Sequence, residues 1–283
     1  DQTDPIDQID EVKRQPYMLT RFMLISAARS GSTMIRETLA RHPQIHMHGE
    51  VMGPRHVQTA LRAYLPEEIK ALSPEEFGRA MLRERSRDTR QFIQETLFVA
   101  GGNKKAVGFK LILDQVFSLL FADALLWLAE QKDLKIIWLE RRNHLARYAS
   151  WLLHKKGRGE RKSLVWAQDE PPAQLTTEVD PDEFQQDIRN QEAAMKITRE
   201  RFDGHPCLEI VYEDIVKDPH AGYKRMFSFL NVDDAVEPCI ATKKVNSTDL
   251  NEVISNLASI RGHAAISPFL DESGYDSPSP HTP

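Results

Sequence analysis

Apolar positions along the chain fall into short continuous runs separated by helix-spaced stripes, and their order predicts strands alternating with helices. Arg21-Phe22-Met23-Leu24-Ile25-Ser26 is one such run and reads as a strand. Ala27-Ala28-Arg29-Ser30-Gly31-Ser32-Thr33 follows it; Met34, Ile35 and Leu39 then recur at helix spacing until Pro43 stops the pattern. Further strands are predicted over 106–110, 135–140 and 207–212. Helices are predicted over 55–98 (broken at Pro66 and Pro74), 117–132, 142–156, 182–202, 220–230 and 250–260. Such alternation implies crossover connections and a parallel sheet, so the predicted class is α/β with helices on both faces.

The pattern also sets the expected limits of the domain. Residues 1–20 are acidic and unpatterned and read as a lead-in, 21–266 as a single domain, and 267–283 as a Ser/Pro-rich tail that frays at its end. Within the domain, 157–182 is polar and carries Pro171, Pro172 and Pro181, which marks an insertion or a lid. No internal repeat is visible.

Composition narrows the class. With 41% hydrophobic and 28% charged residues among 283, the chain can bury a core, which excludes disordered and fibrous proteins. Lys and Arg number 37 against 42 acids, a net charge of −5, so the basic surplus expected of a nucleic-acid binder is missing. Any bound anion must be held by a local cluster of cations. No apolar run approaches the roughly 20 residues of a membrane-spanning helix, and the best candidate, 117–129, is cut by Asp123. No signal-peptide pattern is expected. Cys207 and Cys239 form no CxxC or Cys/His set for a metal, so no metal site is predicted; both are read as buried small residues, which suits a reducing cytoplasm.

Chemistry concentrates at two predicted strand ends. A strand that runs through a short loop into a helix aims unpaired N–H groups and the positive dipole end at one point. There Gly31 permits close approach, Ser32 and Thr33 add hydroxyls, and Arg29 adds a fork of fixed charge. The plainer alternative is a βα turn with a capping serine. The Walker pattern GxxxxGK[ST] and the dinucleotide pattern GxGxxG are both missing, so the expected ligand is an anion other than ATP–Mg²⁺ or NAD. The second end is Leu139-Glu140-Arg141-Arg142-Asn143-His144, where Arg142 could meet another anionic group and Ser150, two helical turns on, could add a hydroxyl. Alone it would be an exposed basic helix. Together the two ends suggest a ligand with two separated anionic groups.

At these residues the chain resembles the sulfotransferases that use 3′-phosphoadenosine 5′-phosphosulfate (PAPS). Ala28-Arg29-Ser30-Gly31-Ser32-Thr33 resembles their 5′-phosphosulfate loop, and Arg142 with Ser150 their 3′-phosphate motif. Val211-Tyr212-Glu213-Asp214-Ile215, through Asp218-Pro219 to Phe229-Leu230, looks like their downstream strand and helix. The stretch from His42-Pro43 to His48-Gly49-Glu50-Val51 is most similar to bacterial carbohydrate sulfotransferases of the Nod-factor and trehalose type. The resemblance implies a P-loop-like three-layer fold and PAPS as co-substrate, with 3′,5′-ADP as product. It implies that Arg29, Ser30, Gly31, Ser32 and Thr33 hold the 5′-phosphosulfate and that Arg142 and Ser150 hold the 3′-phosphate. Lys110 matches a lysine that precedes a catalytic histidine by two residues in cytosolic members, but here that later position is Ile112.

The base must then come from elsewhere. Glu50 is the choice, because the similar carbohydrate-type enzymes use a glutamate after the first helix; His48 and His46 are the runners-up, since imidazole is a competent base near neutral pH. His42 reads as a helix-end residue. Lys243 and Lys244 precede a segment that can close over the cofactor in the family. Trp127 and Trp138 read as packing, while Trp151 and Trp166 could stack on an adenine or a sugar. Arg79, Arg83, Arg85, Arg87 and Arg90 read as a solvated helix face.

The expected partners are PAPS and a hydroxyl-bearing small molecule or glycan, with no nucleic acid and no integral membrane segment. The acceptor, whether a carbohydrate, a glycolipid or a natural product, and the oligomeric state, with a homodimer among the arrangements open, are not written in the sequence. Two rivals remain. A nucleotide kinase with a degenerate P-loop would need magnesium, whereas sulfuryl transfer is expected to survive EDTA; an inactive nucleotide-binding scaffold would bind 3′,5′-ADP but label no acceptor.

Overall fold

The computed structural model describes residues 19–53, 57–60, 72–159, 175–240 and 249–270, with 157–159 described by their backbone alone. Five parallel strands form one sheet in the order β2-β3-β1-β4-β5: β1 Thr20–Ser26, β2 Ile45–Glu50, β3 Ala106–Ile112, β4 Lys135–Glu140 and β5 Cys207–Val211. The principal helices are α1 Ser32–Arg41, α2 Pro74–Arg87, α3 Ala122–Glu130, α4 His144–Gly159, α5 Pro181–Arg201, α6 Tyr212–Lys217 and α7 Pro219–Phe229.

Period-two alternation builds the layers. Met23 and Ile25 of β1, Val107, Phe109 and Leu111 of β3, and Ile136 and Trp138 of β4 face one side, where α3, Phe77 and Met81 of α2, and Phe202 cover them. Phe22, Leu24, Ile137, Leu139 and Ile210 face the other side, under Ile35 and Leu39 of α1 and Tyr223, Met226 and Phe227 of α7. The predicted three-layer α/β class is the observed one. A separate cluster packs α4 against α5 and residues 253–266, through Leu145, Leu153, Phe184, Ile254 and Ile266.

The structure differs from the predicted elements in particular places. A fifth strand, β2, occupies the stretch between α1 and Glu50 that sequence patterning leaves unassigned, and all its residues but the last are buried. At Pro74 the predicted break is a helix start: the proline takes a first-turn position of α2 behind a Ser73/Glu76 capping box. The helix predicted from 117 begins at Ala122, after a 3₁₀ turn Leu119–Phe121. The single helix expected over 250–260 is two short turns, Leu250–Val253 and Leu257–Ile260. Between them Ile254 is extended and bridges Thr177, while the Asn256 amide bonds both the N–H and the C=O of Val179 at 3.0 Å. Packed chain also runs past the boundary expected at 266, because Phe269 meets Phe184 edge-on and accepts a hydrogen bond from Asn143. Most of the predicted insertion, Pro66, Trp166, Lys243, Lys244 and the end of the tail lie outside the described residues.

Both cysteines are exposed, against expectation. Cys207 begins β5, an edge strand whose pattern is largely open, and Cys239 lies in irregular chain after α7. Among the described residues no helix is long and apolar enough to cross a membrane.

One buried charge ties the third cluster together. Arg147 of α4 is 2% exposed and pairs with Asp187 of α5. Burial lowers its pKa to about 10, which still leaves it cationic at neutral pH. Removing the carboxylate strands that charge, so Asp187→Ala is expected to cost about 3–5 kcal/mol, read as a fall in the urea midpoint at pH 7.

Candidate active site

In an open parallel sheet, ligands sit beyond the carboxyl ends of the strands, at the point where the strand order reverses. Here that point is the end of β1, which has β3 on one side and β4 on the other. The register aligns Ser26 with both Ile112 and Leu139, so the three strand ends lie level.

The loop after β1 has two residues in the left-handed region, Arg29 at φ 67° and Gly31 at φ 86°. Such a conformation costs a non-glycine residue energy and is typical of a functional turn. Gly31 has a second reason to lack a side chain, because a Cβ there would stand 2.3 Å from the Tyr212 ring. α1 then starts with no capping side chain and no acid in its first turn. Ser30 is 1% exposed, and its hydroxyl has no partner among the described residues. Arg29 Nε donates to Ser150 Oγ at 3.1 Å, and Arg141 Nη1 donates to the Arg29 carbonyl at 3.1 Å. The loop and α4 are therefore in direct contact.

On the other side of β1 stands Lys110, 5% exposed near the end of β3. Its Nζ lies 2.9 Å from Glu50 Oε1 and 3.4 Å from Thr33 Oγ1. Burial holds the ammonium below the usual lysine pKa, Glu50 opposes that shift, and Arg36 and Arg29 add to it. The pair depends on an irregularity. Met47 pairs with Gly108, which in an even register would set Gly49 against Lys110; the strand slips by one residue and sets Glu50 there instead. Gln58 holds the slip: its carbonyl accepts the Gly49 N–H at 2.8 Å, and its side chain lies so close that a Cβ on Gly49 would overlap it. Gln115 Nε2 donates to the second Glu50 oxygen at 3.3 Å.

At the end of β4, Arg142 gives its guanidinium to Asp214 through both terminal nitrogens, at 2.9 and 3.2 Å. Ser150, the other half of the predicted pair, is joined to Arg29.

A family model described as "Sulfotransferase family" matches residues 22–236, which takes in all of these strand ends. The chain belongs to the sulfotransferase family. Among solved structures, a sulfotransferase from Alicyclobacillus acidocaldarius is 19% identical at a TM-score of 0.48, covering 91% of this chain and 98% of that one. A sulfotransferase domain from the curacin biosynthetic pathway is 14% identical at a TM-score of 0.47, covering 94% of each. Among curated proteins none matches.

Several sulfotransferase candidates change standing on this geometry. His48 is fully buried; Ala60 donates to its Nδ1 at 3.0 Å and its Nε2 lies 3.0 Å from the Leu97 carbonyl. With both ring nitrogens occupied it cannot serve as the base, so His48 leaves the catalytic set. His46, 2% exposed, lies against it with ring centroids 4.5 Å apart. His42 caps the end of α1, as expected. Trp127 and Trp138 pack in the core, while Trp151 stacks on Tyr148 beneath Lys155. Arg85 is not part of a solvated face: it is 4% exposed and donates to the carbonyls of Val51 and Gly53 at 2.6 and 2.7 Å, pinning the chain just past Glu50. Its position at helix spacing from Phe77 and Met81 was the one available signal of this burial. Gln58 and Gln115 gave none.

The two imidazoles generate a pH dependence. Burial lowers His46 to about 4 and His48 to about 3, with Lys104 and His46 respectively adding to the shift. Between the ordinary histidine pKa near 6.5 and about 4 the unfolded chain binds protons that the folded chain does not, so stability falls as pH falls through that window. Going from pH 7 to 5 is expected to cost about 2 kcal/mol for each of these histidines, and His46→Gln to remove about 2 kcal/mol of that dependence, as measured by denaturant melts at the two pH values.

Proposed function

We propose that this chain transfers a sulfuryl group from PAPS to an acceptor hydroxyl, with Glu50 as the base. One observation carries the reading: the Lys110 ammonium stands between the Glu50 carboxylate and the Thr33 hydroxyl, joining a candidate base to the anion loop. The loop's character fits an anionic group. α1 has an uncapped N-terminus, the Ser30 hydroxyl is buried without a partner among the described residues, and Arg29 and Lys110 supply positive charge.

The roles follow from position. Arg29, Ser30, Gly31, Ser32 and Thr33 hold the 5′-phosphosulfate, Gly31 because nothing larger fits beside Tyr212. Arg142 and Ser150 hold the 3′-phosphate, for which the Arg142 fork must exchange its Asp214 partner. The acceptor oxygen bonds to sulfur as the bond from sulfur to the 5′-phosphate oxygen breaks; 3′,5′-ADP leaves and the hydroxyl proton goes to Glu50. By analogy with phosphoryl transfer the transition state is loose, so catalysis is mostly positioning and stabilisation of the departing phosphate. Lys110 serves both ends. As its ammonium turns to the leaving oxygen, the Glu50 carboxylate is released from it to take the hydroxyl proton as the acceptor oxygen becomes acidic. The acceptor class that the resemblance favours is a carbohydrate, glycolipid or natural-product hydroxyl.

Glu50→Gln is expected to leave 3′,5′-ADP binding within about twofold while cutting turnover roughly 100-fold. A variant with full activity removes Glu50 as the base. Calorimetry with 3′,5′-ADP, ADP and ATP is expected to show preference for the 3′-phosphorylated nucleotide; equal or tighter ATP binding would count against sulfuryl transfer.

A further inference from the structure

The two strand–helix junctions of the site are finished differently. α1 begins with its amides uncapped by any side chain. The start of α4 is closed. Glu213 Oε2 accepts the Arg142 N–H at 3.0 Å and Glu213 Oε1 accepts the Asn143 N–H at 3.1 Å, while Asn143 Oδ1 caps the Ala146 N–H at 2.7 Å. An anion arriving at the end of β4 therefore finds the amides of Arg142, Asn143 and Ala146 taken.

We propose that Glu213 is a positioning residue for the 3′-phosphate subsite, fixing the Arg142–Asn143 peptide and with it the direction from which the Arg142 fork reads that phosphate. One carboxylate spanning two successive N–H groups sets the plane of the peptide between them, and with it the direction in which Arg142 leaves the backbone. The neighbours of Glu213 in the same turn work on the same parts. Asp214 holds the Arg142 guanidinium, and the Tyr212 ring lies under Arg141 at 4.9 Å and against Gly31. Glutamine at 213 keeps the size but offers only one acceptor, so one amide is released and the peptide can turn.

The inference rests on the proposed sulfuryl transfer and on Arg142 as the 3′-phosphate ligand. Its test compares 3′,5′-ADP with 5′-AMP, which lacks the 3′-phosphate, on the wild-type chain and on Glu213→Gln. Wild type is expected to prefer 3′,5′-ADP. Glu213→Gln is expected to bind 3′,5′-ADP about 10-fold more weakly and 5′-AMP within about twofold, and to raise KM for PAPS while kcat stays within about twofold. Amide hydrogen exchange checks the cause: Arg142 and Asn143 should exchange faster in the variant, with the β4 amides unchanged. Equal weakening of both nucleotides makes Glu213 merely structural and overturns the inference, as does no weakening of either. A wild-type chain without preference for 3′,5′-ADP fails earlier, and removes the reading on which Glu213 depends.

Discussion

A buried ammonium needs a counter-charge, and Lys110 at 5% exposure is the cation around which the site is arranged. Its partner is Glu50, and that pairing exists because β2 slips one residue against β3. The slip depends on Gly49, which leaves room for Gln58, and on Arg85, which ties down the carbonyls of Val51 and Gly53. Each piece is unfavourable or unremarkable alone: a strand irregularity, a buried lysine, a buried arginine. Together they set one carboxylate at the mouth of the loop, facing the same cation that contacts Thr33.

The sheet explains why residues so far apart in sequence meet. Apart from Ser150, which lies within α4, the candidate groups lie at or just beyond the carboxyl ends of parallel strands, and level register brings those ends together. β5 contributes through the first turn of α6, which continues directly from it. Tyr212 blocks a side chain at Gly31, Glu213 closes the start of α4, and Asp214 holds Arg142. Three consecutive residues thus restrain both the loop and the basic strand end.

The parts legible in sequence are those with local causes. Apolar runs followed by helix-spaced stripes marked β1, β3, β4 and β5, and the turn from Arg29 to Thr33 carried its own chemistry. β2 escaped because Ile45-His46-Met47-His48-Gly49-Glu50 has two histidines where a buried strand usually shows aliphatic residues, and a glycine that argues against a strand. The same two histidines stand as runners-up for the base on residue type alone. An imidazole in sequence looks titratable, but Ala60 and Leu97, both distant along the chain, occupy the ring nitrogens of His48. Arg85 was misread for a related reason, since its partners are carbonyls that no composition rule can locate. Non-local hydrogen bonds decide these positions, and a pattern along the chain does not contain them.

The acidic balance of the chain has a counterpart in the site. Lys110 is paired with Glu50 and Arg142 with Asp214, so two of the cations assigned to the ligand already have carboxylate partners in the resting protein. Under the proposed roles, binding is an exchange of partners rather than the filling of bare charge. The contribution of each cation to affinity is then the difference between a phosphate and a carboxylate on the same nitrogen atoms, which is smaller than either interaction alone. Such an arrangement disfavours indiscriminate anion binding, because a single phosphate can displace only one carboxylate and gains from only one end. A ligand with phosphates at both ends gains from both, and the contact between Arg29 and Ser150 puts those ends within one continuous surface. Under the proposed roles, neutralised cations at two strand ends would favour a ligand with two charged ends without any excess of basic residues in the chain as a whole.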